Sequence, residues 1–253
     1  MNPDDFSSDP WAFLRTHTAA RIAQGRTGHS LPSHALLDFQ LDHARARDAV
    51  FSELDLPCLT TELALLHPAV LTLHSQATSR REYLQRPDLG RRLNIQTKFP
   101  TAGLTGIRVD LSIVIADGLS AAAVNHHAVP VVSRLVTAVN KLGWSLAPIA
   151  LVRQGRVAIA DEVAHALGAD LLVMLIGERP GLSSPDSLGA YLTFRPRPGL
   201  TDESRNCVSN IRPEGLPYDF AVQKLMYLLT EMKTRRLSGV GLKDEMDGLP
   251  AGG

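Results

Sequence analysis

Cysteine is scarce in this chain: Cys58 and Cys207 are the only two in 253 residues. Two thiols so far apart make no disulfide framework, and no Cys-x-x-Cys pair offers a zinc site. A reducing, cytoplasm-like compartment is the expectation. Charge of either sign is not in excess. Lysine plus arginine total 26, aspartate plus glutamate total 26, and the formal net charge is zero. With no basic surplus to neutralise phosphates, a role dominated by electrostatic binding to nucleic acid or a membrane surface is excluded. No run approaches ~18 continuous apolar residues, so no transmembrane helix is expected. The opening residues Met1-Asn2-Pro3-Asp4-Asp5 lack the basic and apolar regions of a secretory signal.

What is present suits a globular protein. Hydrophobic residues make up 44% and charged residues 21%, too apolar for disorder over the whole chain. A chain this long buries roughly 70–75% of its unfolded surface, so it needs no disulfide or structural metal to fold.

The pattern changes near residue 100. Before it, residues 11–25 read as a helix with Phe13, Leu14, Ala20, Ile22 and Ala23 as its apolar positions, stopped by Gly25 and Gly28. A second helix is expected over 33–51, with Ser33 as N-cap after Pro32. A strand is expected around 69–74, and a loop or short helical turns over 83–93. After residue 100, Leu111-Ser112-Ile113-Val114-Ile115-Ala116 reads as a strand buried on both faces. A helix to about Leu142 follows, with Val124, Val131, Leu135 and Val139 on its buried face and Gly143 at its end. Strand, helix and strand are then expected over 146–152, 159–167 and 170–176. A further strand is expected over 188–194, then a long loop through Cys207 and a last helix over 218–236.

Strands alternating with helices predict an α/β fold: a Rossmann-like parallel sheet flanked by helices, preceded by a mainly helical N-terminal region. The expected division is 1–100 helical, 101–245 α/β, and 246–253 a flexible tail.

In an open parallel sheet, ligands bind beyond the carboxyl ends of the strands. Three such ends are expected here, at 117–120, 153–157 and 177–181, assembled into one crevice. Catalytic signatures are missing. There is no GxGxxG after the first strand, no P-loop, no GxSxG elbow and no HExxH. His126 and His127 are adjacent, and adjacent residues do not share a helix face, so they are read as partly exposed helix residues and no metal site is assigned. Cys207 lies between Asn206 and Val208 as a packing residue, a site wall or a nucleophile. Glu178 is either half of a surface ion pair with Arg179 or an acceptor for an N–H-rich ligand. A crevice without a nucleophile, base or metal set suggests a chain that supplies part of an active site.

Several segments carry a resemblance. They are Gly25-Arg26-Thr27-Gly28, Leu36-Leu37-Asp38-Phe39-Gln40-Leu41-Asp42-His43, Arg86-Pro87-Asp88-Leu89-Gly90-Arg91-Arg92-Leu93, and Ile115-Ala116-Asp117-Gly118-Leu119-Ser120. The most specific are Gly177-Glu178-Arg179-Pro180-Gly181-Leu182 and Arg205-Asn206-Cys207-Val208-Ser209-Asn210-Ile211. Together they make the sequence resemble the small subunit of ethanolamine ammonia-lyase over residues 12–242.

The resemblance implies an enzyme active only with a large subunit. That partner would be a TIM barrel holding the substrate and the radical chemistry. The small subunit would help to bind adenosylcobalamin at the interface, for conversion of ethanolamine to acetaldehyde and ammonia. The hard chemistry would be the cofactor's, so no catalytic residue is expected from this chain. Residues 1–100 would contact the large subunit and 101–245 would bind cobalamin. Position by position, Val157, Glu178 and Cys207 match the family's cobalamin contacts; Asp117, Gly118, Leu119 and Ser120 are candidates by geometry only. The family's cobalamin keeps its own benzimidazole on cobalt (base-on), and this sequence has no Asp-x-His-x-x-Gly, so no metal ligand is expected here. No nucleic-acid or membrane partner is expected. Some family members carry a longer N-terminal extension, read as an address for a bacterial microcompartment; this chain begins almost directly at Trp11, so microcompartment and cytoplasm both stand as expected locations. The alternative reading, from the pattern alone, is a stand-alone α/β protein binding a nucleotide-like ligand.

Overall fold

The computed structural model describes residues 9–18, 20–96 and 108–246. Its centre is a six-stranded sheet. In chain order the strands are β1 (Val70–His74), β2 (Val109–Ala116), β3 (Ile149–Arg153), β4 (Ala169–Gly177), β5 (Leu188–Phe194) and β6 (Arg205–Ile211). They lie in the order β1-β3-β2-β4-β5-β6. β1, β3, β2 and β4 are mutually parallel, while β5 and β6 run antiparallel to their neighbours.

The two faces follow from period-two alternation along strands buried on both sides. Leu111, Ile113 and Ile115 of β2 and Leu171, Val173 and Leu175 of β4 point to one face. There they meet α4 (Ala121–Lys141) and α6 (Tyr218–Arg235). Val114, Ala116, Leu172, Met174 and Ile176 point to the other face and pack on α5 (Ile159–Ala166). Ahead of the sheet and around β1 lie α1 (Ser33–Phe51), α2 (Leu56–Ala64) and α3 (Arg80–Gln85). β1 is hydrogen bonded to β3, so the sheet draws on chain from both sides of residue 100. The expected boundary near residue 100 lies outside the described residues, as does the tail beyond Met246.

Three departures from the sequence reading have physical causes. The sheet is mixed, not wholly parallel. A parallel crossover needs a dozen or more residues, usually helical, and 178–187 is too short and carries Pro180 and Pro185. β5 therefore folds straight back along β4. The helix expected over 11–25 is only a 3-10 turn, Ala12–Thr16, with no buried residue to stabilise a longer one, and Ala23 takes a positive φ of 50°. The loop expected through Cys207 contains β6, whose exposed Cys207, Ser209 and Asn210 disguise an edge strand. One helix was not anticipated: Asp55 caps α2 by accepting the Cys58 N–H at 3.1 Å, Pro57 stands in its first turn, and Leu59 and Leu63 are buried one turn apart.

Candidate functional site

The three carboxyl-end turns meet. The Asp117 carboxylate, beyond β2, accepts the Gln154 N–H at 2.9 Å and the Gly155 N–H at 3.0 Å, both beyond β3. The Leu119 N–H donates to the Gly177 carbonyl at 2.9 Å, joining the β2 turn to the end of β4. Gly177 has no room for a side chain. A Cβ there would strike the Ser120 carbonyl and lie 2.6 Å from that of Asp117. Asp117 and Ser120 are therefore committed to the fold. Ser120 donates from its hydroxyl to the Pro185 carbonyl at 3.0 Å and caps α4 by accepting the Ala123 N–H at 3.2 Å.

A cationic and aromatic bracket supports the turn after β3. Arg80, from α3, donates to the carbonyls of Val50 (2.7 Å) and Gly118 (2.8 Å) and stands 3.8 Å from Asp117. Tyr83 donates its hydroxyl to the Gly155 carbonyl at 3.1 Å, and the Arg80 and Arg156 guanidinium groups lie 4.8 and 4.3 Å from its ring centre. Burial raises the Asp117 carboxyl above its ordinary value, opposed by the two N–H donors and Arg80. Burial likewise lowers Arg80 and raises Tyr83. None of this bracket was read from the sequence. Its members are separated by up to about seventy positions, and only the quoted Gly90 hinted at it: a Cβ on Gly90 would lie 2.8 Å from Arg156 and 2.9 Å from Tyr83.

The expected contact residues lie on the α5 side of the sheet. Val157 follows the bracketed turn and packs, half-buried, on the same apolar cluster as Tyr191 of β5. Tyr191 pairs directly with Cys207 across β5 and β6. Glu178 leaves the end of β4, and its carboxylate lies over Gly189 and accepts the Asn210 N–H at 3.2 Å. Cys207 and Ser209 are exposed, with Sγ and Oγ 3.3 Å apart. Tyr191 connects the set: burial pushes its hydroxyl up to about 12, helped by the Cys207 thiol and the Glu178 carboxylate. The phenol thus stays protonated and can donate. Glu178 and Cys207 accordingly adjoin on one mixed apolar and polar face, with Val157 on the same apolar cluster as Tyr191. Tyr191 and Gly189 complete it and were not foreseen.

Beneath this surface, Arg205 of β6 pairs with Asp161 of α5, both side chains 2% exposed. The pair fixes β6, and with it Cys207, against α5. The adjacent histidines of α4 differ from expectation. His126 is exposed, but His127 is 6% exposed and bonded to Tyr218, because α6 packs across that side of α4.

Comparison with known proteins agrees with the resemblance. The family model for the ethanolamine ammonia-lyase light chain (EutC) matches residues 8–243. The ethanolamine ammonia-lyase small subunit of Pseudomonas fluorescens strain SBW25 is 54% identical over 244 residues, covering 95% of this chain and 88% of that protein. The small subunit from Pseudomonas putida strain KT2440 is 56% identical over 242 residues, covering 94% and 89%. That from Ralstonia nicotianae strain GMI1000 is 53% identical over 249 residues, covering 96% and 91%.

Proposed function

The chain belongs to the ethanolamine ammonia-lyase light-chain family, and from that premise we propose that it works with a large subunit to deaminate ethanolamine to acetaldehyde and ammonia. Its own share is to hold adenosylcobalamin at the interface between the chains. One observation carries this assignment: Glu178, Tyr191 and Cys207 adjoin on the α5 face of the sheet, and Val157 packs on the same apolar cluster as Tyr191. The donor and acceptor set suits the cofactor. A corrin rim bears amide side chains, which a carboxylate and a protonated phenol can bond while Val157 supplies an apolar wall. Adenosylcobalamin when bound supplies the radical chemistry. This chain binds and orients it and excludes water from one side. Val157, Glu178 and Cys207 would hold the rim of the cofactor, and none of them is assigned to cobalt.

The parallel part of the sheet is taken as Rossmann-like, with 101–245 as the cofactor-binding unit. The large subunit is taken as a TIM barrel that holds the substrate. Residues 1–100 are assigned to the contact with it, supported by the large apolar side chains that α1 leaves exposed. Among the described residues, no helix is long and apolar enough to cross a membrane. Residence in the cytoplasm or in a bacterial microcompartment is compatible with this reading.

The test is reconstitution. The full chain and its large subunit are assayed separately and together with adenosylcobalamin and ethanolamine, and acetaldehyde is measured. Activity is expected only from the mixture. Deamination by this chain alone would overturn the assignment.

A further inference from the structure

A second polar cluster lies on the α4 side of the sheet, away from Glu178 and Cys207. α4 carries His126 and His127, and the loop between β4 and β5 brings Asp186 to them. One ring nitrogen from each histidine and one Asp186 carboxylate oxygen lie within 4.8 Å of one another. His127 is buried, and its two nitrogens are treated differently. Nδ1 is 2.7 Å from the Tyr218 hydroxyl at the start of α6. Nε2 is buried, has no hydrogen-bond partner among the described residues, and lies 3.5 Å from Asp186 Oδ2. The other oxygen of Asp186 is 3.7 Å from Arg212 Nη1.

Buried ring nitrogens are seldom left without a partner. At 3.5 Å Asp186 Oδ2 lies beyond ordinary N–H···O reach, so the carboxylate does not satisfy the atom directly. An imidazole nitrogen with a free lone pair is a metal ligand. The surroundings match the second layer of a metal site. A ligating histidine donates its other N–H to an oxygen, here Tyr218 Oη, and a ligating carboxylate is itself held, here by Arg212. Two imidazoles and a carboxylate select zinc-like ions over magnesium or calcium, which prefer oxygen.

We propose that His126, His127 and Asp186 bind one zinc ion, joining α4 to the β4–β5 loop, with water as a fourth ligand. Ligand bonds of about 2.0–2.1 Å require donor atoms within about 4 Å of one another. The exposed His126 ring supplies that adjustment by turning inward. The ion ties down the far end of the loop that begins at Glu178. The site uses none of the residues assigned to the cofactor and is independent of that assignment.

The experiment uses the untagged full chain purified with its large subunit. The complex is stripped with chelator, dialysed against micromolar zinc and analysed for zinc by mass spectrometry, a readout that cobalt does not disturb. About one zinc per copy of this chain and a raised Tm are expected. His126→Ala, at an exposed position, and Asp186→Asn should each remove both effects. Tyr218→Phe, which deletes the oxygen facing Nδ1, should weaken zinc binding about 10- to 100-fold. Absence of zinc from the wild-type complex, or full retention in the His126→Ala and Asp186→Asn variants, overturns the proposal.

Discussion

The carboxylate of Glu178 lies so close over Gly189 that a Cβ on residue 189 would sit 2.9 Å from Oε1. Glycine at this point of β5 is what lets Glu178 fold across the strand and accept the Asn210 N–H on β6 at 3.2 Å. One missing methyl group thus links the turn after β4 to the edge strand that carries Cys207.

Gly189→Ala should separate cofactor binding from folding. The clashing atoms belong to the end of a flexible side chain, so the backbone can stay in place. Glu178 must move and give up its bond to Asn210. The displaced carboxylate also loses its proposed bond to a corrin amide, at about 1.5–3 kcal/mol, which is roughly 10- to 100-fold in cobalamin affinity of the reconstituted complex. Glu178→Gln, which keeps the shape and removes the charge, should lower affinity in the same direction. Spectroscopic titration with cobalamin measures both. Wild-type affinity in both variants would remove Glu178 from the cofactor site.

Gly177→Ala should instead destroy the fold. Here the Cβ meets the carbonyls of Ser120 and Asp117, which are backbone and cannot swing aside. Separating them would pull apart the junction of β2, β4 and α4, a loss of about 4 kcal/mol or more. Gly143→Ala is the comparison: its φ is +68° but nothing lies within 4 Å of the added Cβ, so only about 1 kcal/mol of backbone strain is expected. Urea unfolding midpoints should rank wild type above Gly143→Ala, and Gly143→Ala far above Gly177→Ala.

The buried Asp161–Arg205 pair gives a pH-dependent prediction. Burial raises the Asp161 carboxyl above its ordinary 3.8, and Arg205 opposes the rise. A folded-state value above the unfolded one means that folding favours the protonated form. The stabilising contribution is complete below about 3.8 and is lost as pH rises through the higher folded value. Arg205→Met removes the counter-charge, so that loss grows and extends to higher pH. At about pH 7 the variant should be less stable by about 3–5 kcal/mol. Its deficit relative to wild type should shrink on acidification, as Asp161 takes up a proton. A deficit that stays constant or widens with acid would mean that Asp161 is not the group responsible.

The parts of the fold legible in the sequence were those with strong local signals. β2 and β4 are nearly continuous apolar runs, and α1 and β5 span the expected residues, although Pro32 and not the expected Ser33 holds the N-cap position of α1, with no side-chain cap bond. α2 had a capping aspartate and an early proline, but Leu56, Leu59 and Leu63 merge with Leu54, Leu65 and Leu66 on either side. β6 was hidden because an edge strand keeps polar residues outward. The direction of β5 departs from the expected parallel sheet, because 178–187 is too short for a crossover helix. At the site, Glu178 and Cys207 stand in short motifs that sequence alone can flag. Tyr191, Gly189, Asp161 and the Arg80–Tyr83 bracket act only through contacts between distant segments, which no local pattern encodes.

α1 presents apolar surface that the chain itself does not cover. This helix buries only Ala35 and Ala49 within the chain, yet Leu37 and Leu41 remain 63% and 51% exposed. They are one helical turn apart and share a face. Leu36 and Phe51 on the same helix are also exposed. Contiguous apolar surface of this kind marks an interaction site, and a large subunit is the partner proposed above. Leu37→Asp and Leu41→Asp remove little internal packing, so the stability of the chain alone should change by no more than roughly 0.5 kcal/mol. Each leucine buried at an interface contributes about 1.5–3 kcal/mol, so association should weaken at least tenfold per substitution. Sedimentation of the mixed subunits measures this directly. Unchanged association in the double variant would move the contact to another face. A loss of association together with a lowered Tm of the isolated chain would show instead that α1 needs these leucines for its own folding.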